Sequence, residues 1–219
     1  MSDNKSYKII AIIAILVGAI GVAVGYSAFA SNLQISASAQ VSPDANLFSV
    51  VFSSSDESVQ TSNITPSLNP NNVTGFTATN ATINNAATGG PTISNMQVTF
   101  KEPGETATYS FYAYNEGEYI AYLDNITFTG DKTCTPGSGT TEGLVNAACN
   151  NISMSVTVGE NESAITRTST LTGITQHSLA TNTAEPVVVT ITYAENGAIA
   201  DGDFTVTFPS VTLHYESVD

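Results

Sequence analysis

A chain of 219 residues with 5 Lys+Arg against 19 Asp+Glu, net charge −14, has room for one or two domains and a surface that repels phosphate backbones. Nucleic acid is excluded as a partner, and anionic lipid headgroups are poor ones for the same reason. With 11% charged and 42% hydrophobic residues the chain is no acidic disordered tail. Ser and Thr make up about a quarter of it beside Val, Ile, Tyr and Phe, the composition of an extracytoplasmic all-β protein.

Lys5 and Lys8 precede an apolar run from Ile9 to Val24, and the small-residue stretch Gly25-Tyr26-Ser27-Ala28-Phe29-Ala30 follows. Ala28 and Ala30 match an A-x-A site, placing cleavage before Ser31. The competing reading is a retained anchor. Residues 9–26 as a helix measure roughly 27 Å, close to the hydrocarbon thickness of about 30 Å. Gly21 and Gly25 form a GxxxG pair suited to packing in a membrane. Either way the basic end stays in the cytoplasm and the rest is exported. The expected division is 1–30 as signal peptide or transmembrane anchor, 31–42 as an N-terminal strand and 43–219 as the folded domain.

From Ser31 the chain alternates. Leu33, Ile35, Ala37, Ala39 and Val41 fall on one face, with polar residues on the other, until Pro43-Asp44. Leu47–Phe52 reads as a second strand. Ser53–Asn72 reads as a Ser/Asn/Pro-rich loop, and Val73–Ile83 as a strand or a long connection. Gly89-Gly90-Pro91 breaks the chain before a strand at Ile93–Phe100 and a turn at Glu102-Pro103-Gly104. Thr106–Tyr114 alternates, turning Ala107, Tyr109, Phe111 and Ala113 one way. Asn115-Glu116-Gly117 turns the chain into Tyr119–Phe128, with a bulge expected near Asp124. Asp131–Asn150 reads as a loop, so little helix is expected after residue 30. Ile152–Val158 and Val187–Tyr193 are strands, Ala164–Leu171 a weaker one. Phe204–Phe208 and Val211–Tyr215 flank Pro209, a bulge or edge kink. Eight to ten short strands with regular turns predict an antiparallel, jelly-roll-like β-sandwich preceded by one N-terminal apolar helix.

Cys134 and Cys149, the only cysteines, flank one loop, and an even pair in an exported chain reads as a disulfide. Their spacing suits neither a CxxC redox unit nor a zinc unit. No catalytic constellation appears: there is no HExxH, GxSxG or phosphate loop. His177 lies in a polar stretch, and His214 on the solvent face of the last strand. Asp201-Gly202-Asp203 with Glu195 offers oxygen ligands of the calcium type, but Asp and Gly are also ordinary turn residues. The exported part carries six N-x-[ST] sequons, at Asn63, Asn72, Asn80, Asn125, Asn151 and Asn161, about as many as its composition gives by chance. Tyr109, Tyr112, Tyr114, Tyr119 and Tyr122 cluster in two neighbouring strands. Such a cluster covers a core edge or, alternatively, presents rings to a sugar or a protein. The reading is non-enzymatic, without cofactor or metal.

Phe100-Lys101-Glu102-Pro103-Gly104-Glu105, an alternating strand, Asn115-Glu116-Gly117 and then Ala121-x-Leu123-x-x-Ile126 form a pattern of PG(D/E) turn, strand, N-x-G turn, strand. With the A-x-A leader and the strand after it, the chain resembles the TasA/camelysin group, exported β-sandwich fibre proteins of biofilm matrices and pilin-like surface proteins. The resemblance covers most of 1–130 and, more loosely, the closing strands, with Pro103, Gly104, Asn115 and Gly117 as the family-like turn residues. It implies a jelly-roll subunit that polymerises by donor-strand complementation. Ser31–Val41 has the right form for a donor, with Leu33, Ile35 and Val41 filling an acceptor groove; the plain alternative is the first strand of its own sheet. A metallopeptidase activity found among camelysin relatives is not carried over, for want of a zinc triad. Two functions compete. One is a cell-surface or secreted fibre subunit whose partners are copies of itself or other envelope proteins. The other is a membrane-anchored extracytoplasmic binding or adhesion module, held through residues 9–26 if these are uncleaved.

Overall fold

The computed structural model describes residues 48–87, 89–159, 165–166 and 178–217. By contacts the chain divides into two units, Met1–Ser42 and Pro43–Asp219, and all described residues belong to the second. The apolar leader, the cleavage residues Ala28, Ala30 and Ser31, the strand of Leu33, Ile35, Ala37, Ala39 and Val41, and His177 lie outside the described residues.

In chain order the elements are β1 (Val50–Ser53), β2 (Asn63–Ile64), β3 (Ser67–Asn69), β4 (Thr77–Ala78), β5 (Ala81–Asn84), β6 (Thr92–Ser94), β7 (Gln97–Phe100), β8 (Thr106–Asn115) and β9 (Ala121–Thr129). They continue with β10 (Thr133–Pro136), α1 (Glu142–Cys149), β11 (Ile152–Val158), β12 (Ile165–Thr166), β13 (Ser178–Leu179), β14 (Ala184–Tyr193), β15 (Phe204–Thr207) and β16 (Ser210–Ser217). Among the described residues no helix is long and apolar enough to cross a membrane.

The long strands alternate because one face is buried. Ala107, Tyr109, Phe111 and Ala113 of β8, and Val187, Val189, Ile191 and Tyr193 of β14, are at most 1% exposed. The first layer runs β1-β8-β14-β11-β12, with β3 pairing the other end of β8. The second layer consists of two sheets, β10-β15-β7-β4 and β13-β9-β16-β6-β5-β2. Each strand of the first sheet is the chain continuation of a strand of the second: β4 with β5, β7 with β6, β10 with β9, β15 with β16. The breaks fall on one transverse line through Thr79–Asn80, Asn95–Met96, Gly130–Lys132 and Phe208–Pro209. Asn95 (φ 58°) and Gly130 (φ 98°) leave the extended region there. The N–H groups of Phe208 and Thr79 bridge the line to the carbonyls of Met96 and Gln97, each at 3.0 Å. All pairings are antiparallel.

Aromatic rings join the layers. Tyr193 of the first layer lies 5.7 Å from Phe100 and 5.8 Å from Phe204 of the second, in edge-to-face contact. Gly90 is required where it stands: a Cβ there would meet the Leu213 carbonyl oxygen at 2.1 Å.

Several expectations change. The Ser53–Asn72 loop contains β2 and β3, too short to produce a readable alternation. The Ile93–Phe100 strand is two strands, split by the left-handed Asn95. The Asp131–Asn150 loop contains β10 and α1. The bulge does fall at Asp124, which is passed over as the register shifts between Asn125↔His214 and Leu123↔Tyr215. Pro209 does interrupt the closing strands.

Candidate functional site

Chain folding brings three features of chemical interest to the sandwich: a disulfide-closed flank, two hairpin turns held by buried polar side chains, and rows of hydroxyl side chains on the outer faces. The flank is where α1 packs on β10 and Lys132, between β9 and β10, reaches the start of β11. Cys134 in β10 and Cys149 at the end of α1 stand at disulfide distance, S–S 1.93 Å and Cα–Cα 6.2 Å. Val145 and Ala148 bury one side of α1. Thr141 makes no side-chain cap on its own helix. Instead its N–H and hydroxyl both donate to the Asp201 carboxylate, at 2.8 and 2.5 Å, which lowers the pKa of Asp201. At the other end Lys132 donates to the carbonyls of Cys149 and Ile152, both at 2.6 Å, a cation against the negative end of the helix. Burial lowers the pKa of that ammonium.

The same flank presents strand edges. Among the described residues β13 pairs only with Ala121 and Tyr122 of β9, and β12 only with Ser155 and Val156 of β11. Among the described residues the outer edge of β9 from Leu123 to Thr129 has no ladder partner. Exposed Asp124 sits at the bulge there, a charge and a twist of the kind that guards an edge.

The family-like turn residues occupy two hairpins. Pro103 and Gly104 turn β7 into β8, with Gly104 at φ 93°. Glu105, 2% exposed, folds back so that its Oε2 accepts the N–H groups of Lys101 (2.7 Å) and Glu102 (3.1 Å). Its Oε1 is buried without a hydrogen-bond partner among the described residues. Burial raises the pKa of this carboxyl, the two backbone bonds pull it down, and Glu102 and Asp203 push it up again. Asn115 and Gly117 turn β8 toward β9. Fully buried Asn115 donates from Nδ2 to the carbonyls of Tyr119 (2.8 Å) and Leu179 (3.0 Å), and accepts the Gly117 N–H at 2.9 Å.

The tyrosine cluster divides by strand face. Tyr109 is buried, its hydroxyl donating to the Thr79 carbonyl at 3.0 Å, and burial pushes its pKa up to about 12. Tyr112 and Tyr114 alternate to the outer face, half-buried, and their hydroxyls make no hydrogen bond among the described residues. Tyr119 is exposed in the second turn and Tyr122 half-buried in β9.

Hydroxyl side chains cross both outer faces in rows. In the second layer Thr77, Thr99, Thr205 and Thr135 stand opposite one another on four strands, as do Asn84, Thr92, Thr212 and Thr127. Thr99 and Thr205 share a hydrogen bond at 2.9 Å, Thr92 and Thr212 one at 2.8 Å. In the first layer Ser67, Thr108, Thr190 and Ser155 line up likewise. Sequence reading separated inward from outward positions but gave no cross-strand neighbours, so these rows were not visible in it. The only charged residue in the described strands of the first layer is Glu185, and it is buried, accepting from the Tyr215 hydroxyl at 2.7 Å.

His214 is half-buried, its Nε2 2.7 Å from the Thr127 hydroxyl. Among the described residues no three His, Cys, Asp or Glu side chains come together in a way that could hold a metal ion. Asp201, from the calcium-like triplet, is spent on Thr141. Comparison with family models, with curated proteins and with solved structures finds no match for this chain.

Proposed function

We propose that this chain is an exported, non-enzymatic structural protein of the cell surface or a biofilm-like matrix, whose sandwich is the repeating unit of a fibre. The observation that carries the reading is an open strand edge on a well-packed domain: among the described residues β9 has no ladder partner on its outer side from Leu123 to Thr129, while Phe52, Phe100, Phe111, Phe204 and Leu213 are all at most 1% exposed. In this reading the apolar face of Ser31–Val41, with Leu33, Ile35, Ala37, Ala39 and Val41 in alternation, is offered to another copy. A neighbour's open edge would hydrogen-bond its backbone and take up Leu33, Ile35 and Val41. Such a contact is heterologous and does not close, so it propagates. The stretch of β9 from Leu123 to Thr129, without a ladder partner among the described residues, is the acceptor edge in this reading. A jelly-roll winding of the subunit, removal of 1–30 before Ser31 and the likeness to TasA/camelysin fibre proteins belong to the same proposal.

The test is negative-stain microscopy of the purified protein and its Leu33→Asp/Ile35→Asp variant. Filaments in the wild type, and folded monomers in the variant, are expected. Equal filaments in both would reject strand donation, and monomers in both would reject the fibre.

A further inference from the structure

The outer face of the first layer is the least explained surface of the molecule. On a chain of net charge −14, its described strands carry no exposed charged residue. Its outward positions, half-buried for the most part with Ser67, Asn69, Ser110 and Ser153 exposed, are all uncharged, unusual for a solubilising surface, which ordinarily mixes both signs. Two tyrosines two residues apart, Tyr112 and Tyr114, stand on that face about 7 Å from each other. Tyr112 is opposite Pro186, and Tyr114 opposite Ala184. Beyond them the same strands continue into the hydroxyl row of Thr108 and Thr190.

Other tyrosines set the contrast. Buried Tyr109 and Tyr193 and half-buried Tyr215 each donate their hydroxyl to a partner in the fold. Tyr112 and Tyr114 make no such bond among the described residues, so their phenols are left for something outside.

We propose that this face, centred on Tyr112 and Tyr114, binds an uncharged polysaccharide. A pyranose ring has an apolar C–H face, which packs on an aromatic ring, and a rim of hydroxyls. Each hydroxyl both donates and accepts, and Ser, Thr and Tyr hydroxyls do the same, so a hydroxyl-lined track satisfies such a rim in either sense. Charge decides between candidates. An anionic polymer is repelled by the surrounding acidic surface and finds no cation on the face to offset this. A neutral glycan does not meet this obstacle. The site stands apart from the strand edge of the assembly reading and does not depend on it.

The experiment is affinity electrophoresis of the full chain through gels containing hydroxyethylcellulose, dextran or galactomannan, with alginate as the anionic comparison. Retardation by at least one neutral polymer and none by alginate is expected. Tyr112→Ala/Tyr114→Ala is expected to weaken binding about tenfold or more. Tyr112→Phe/Tyr114→Phe, which keeps the rings, is expected to retain most of it, and Tyr122→Ala, on the other layer, all of it. The chain has no Trp, so tyrosine emission reports the same event in solution, as a saturable change on titration with the retarding polymer. That readout and the Phe variant carry the test if the Ala variant does not fold. The proposal is overturned by free migration in every neutral gel, by retardation that the folded Ala variant keeps, or by equal retardation in alginate. Self-association that the Ala variant loses, without glycan binding, also overturns it and gives the face to a second copy.

Discussion

The two hairpins at the ends of β8 solve one problem with different chemistry. Each turn leaves backbone groups inside the sandwich mouth, and each is met by one buried polar side chain. Asn115 is a neutral amide that donates twice and accepts once, so both its nitrogen and its oxygen have partners. Glu105 is a carboxyl that satisfies two N–H groups through one oxygen and leaves the other oxygen buried without a partner among the described residues. The amide makes a turn indifferent to pH. The acid makes a turn whose stability depends on a proton, because a buried, unpaired oxygen is tolerable when it carries hydrogen and costly when it carries charge.

The comparison breaks most sharply at Asn115→Asp. The variant aims a carboxylate at the carbonyls of Tyr119 and Leu179, where the amide donated. A loss of about 4 kcal/mol is expected from urea unfolding, the scale of an uncompensated buried charge. The third closed connection of the domain gives a covalent reference. Cys134→Ser is expected to cost about 3 kcal/mol by the chain-entropy argument while leaving assembly intact, and equal melting of variant and oxidised wild type would reject a structural bridge. Glu105→Ala removes two turn bonds but also the orphan oxygen, so a smaller loss of about 1 kcal/mol is expected.

The finest test is Glu105→Gln followed across pH. The folded carboxyl titrates above its usual 4.5 because of burial. The proton is thus held more tightly in the folded state than in the unfolded one. Its contribution to stability is complete below 4.5 and is lost as pH rises through the folded value. Wild type is expected to lose stability over that window, relative to the Gln variant, which cannot titrate. Parallel pH profiles for the two proteins would remove Glu105 from the account.

Much of this architecture is legible in the residues. Strands such as Thr106–Asn115 and Ala184–Tyr193 announce themselves because a sheet with one dry face demands period two over ten residues. Asp124 and Pro209 are legible as irregularities because a charge or a missing N–H in such a run has to be accommodated by a bulge or a break. Helix α1 is not legible. Its eight residues include Gly143 and Asn146, poor helix formers. What stabilises it is tertiary: Val145 and Ala148 in the core, Asp201 at one end, Lys132 and the cysteine pair at the other. Asn95 is hidden for a different reason, since one left-handed residue leaves no periodic trace. The outward tyrosines were countable in the sequence, but their setting among Pro186, Ala184 and hydroxyl rows requires cross-strand register, which no single strand contains.

The line of breaks across the second layer has a consequence for how the chain avoids mispairing. A slip of one residue in an unbroken ladder turns every side chain inside out along its whole length. Here four adjacent strands are interrupted at one level, so each half of the layer sets its alignment alone. Met96 and Phe208, buried at that level and tied by a backbone bond, then act as a shared origin from which both halves are counted. An error on one side stops at the crease and leaves the other side correctly paired, a template against which the faulty half can be zipped again.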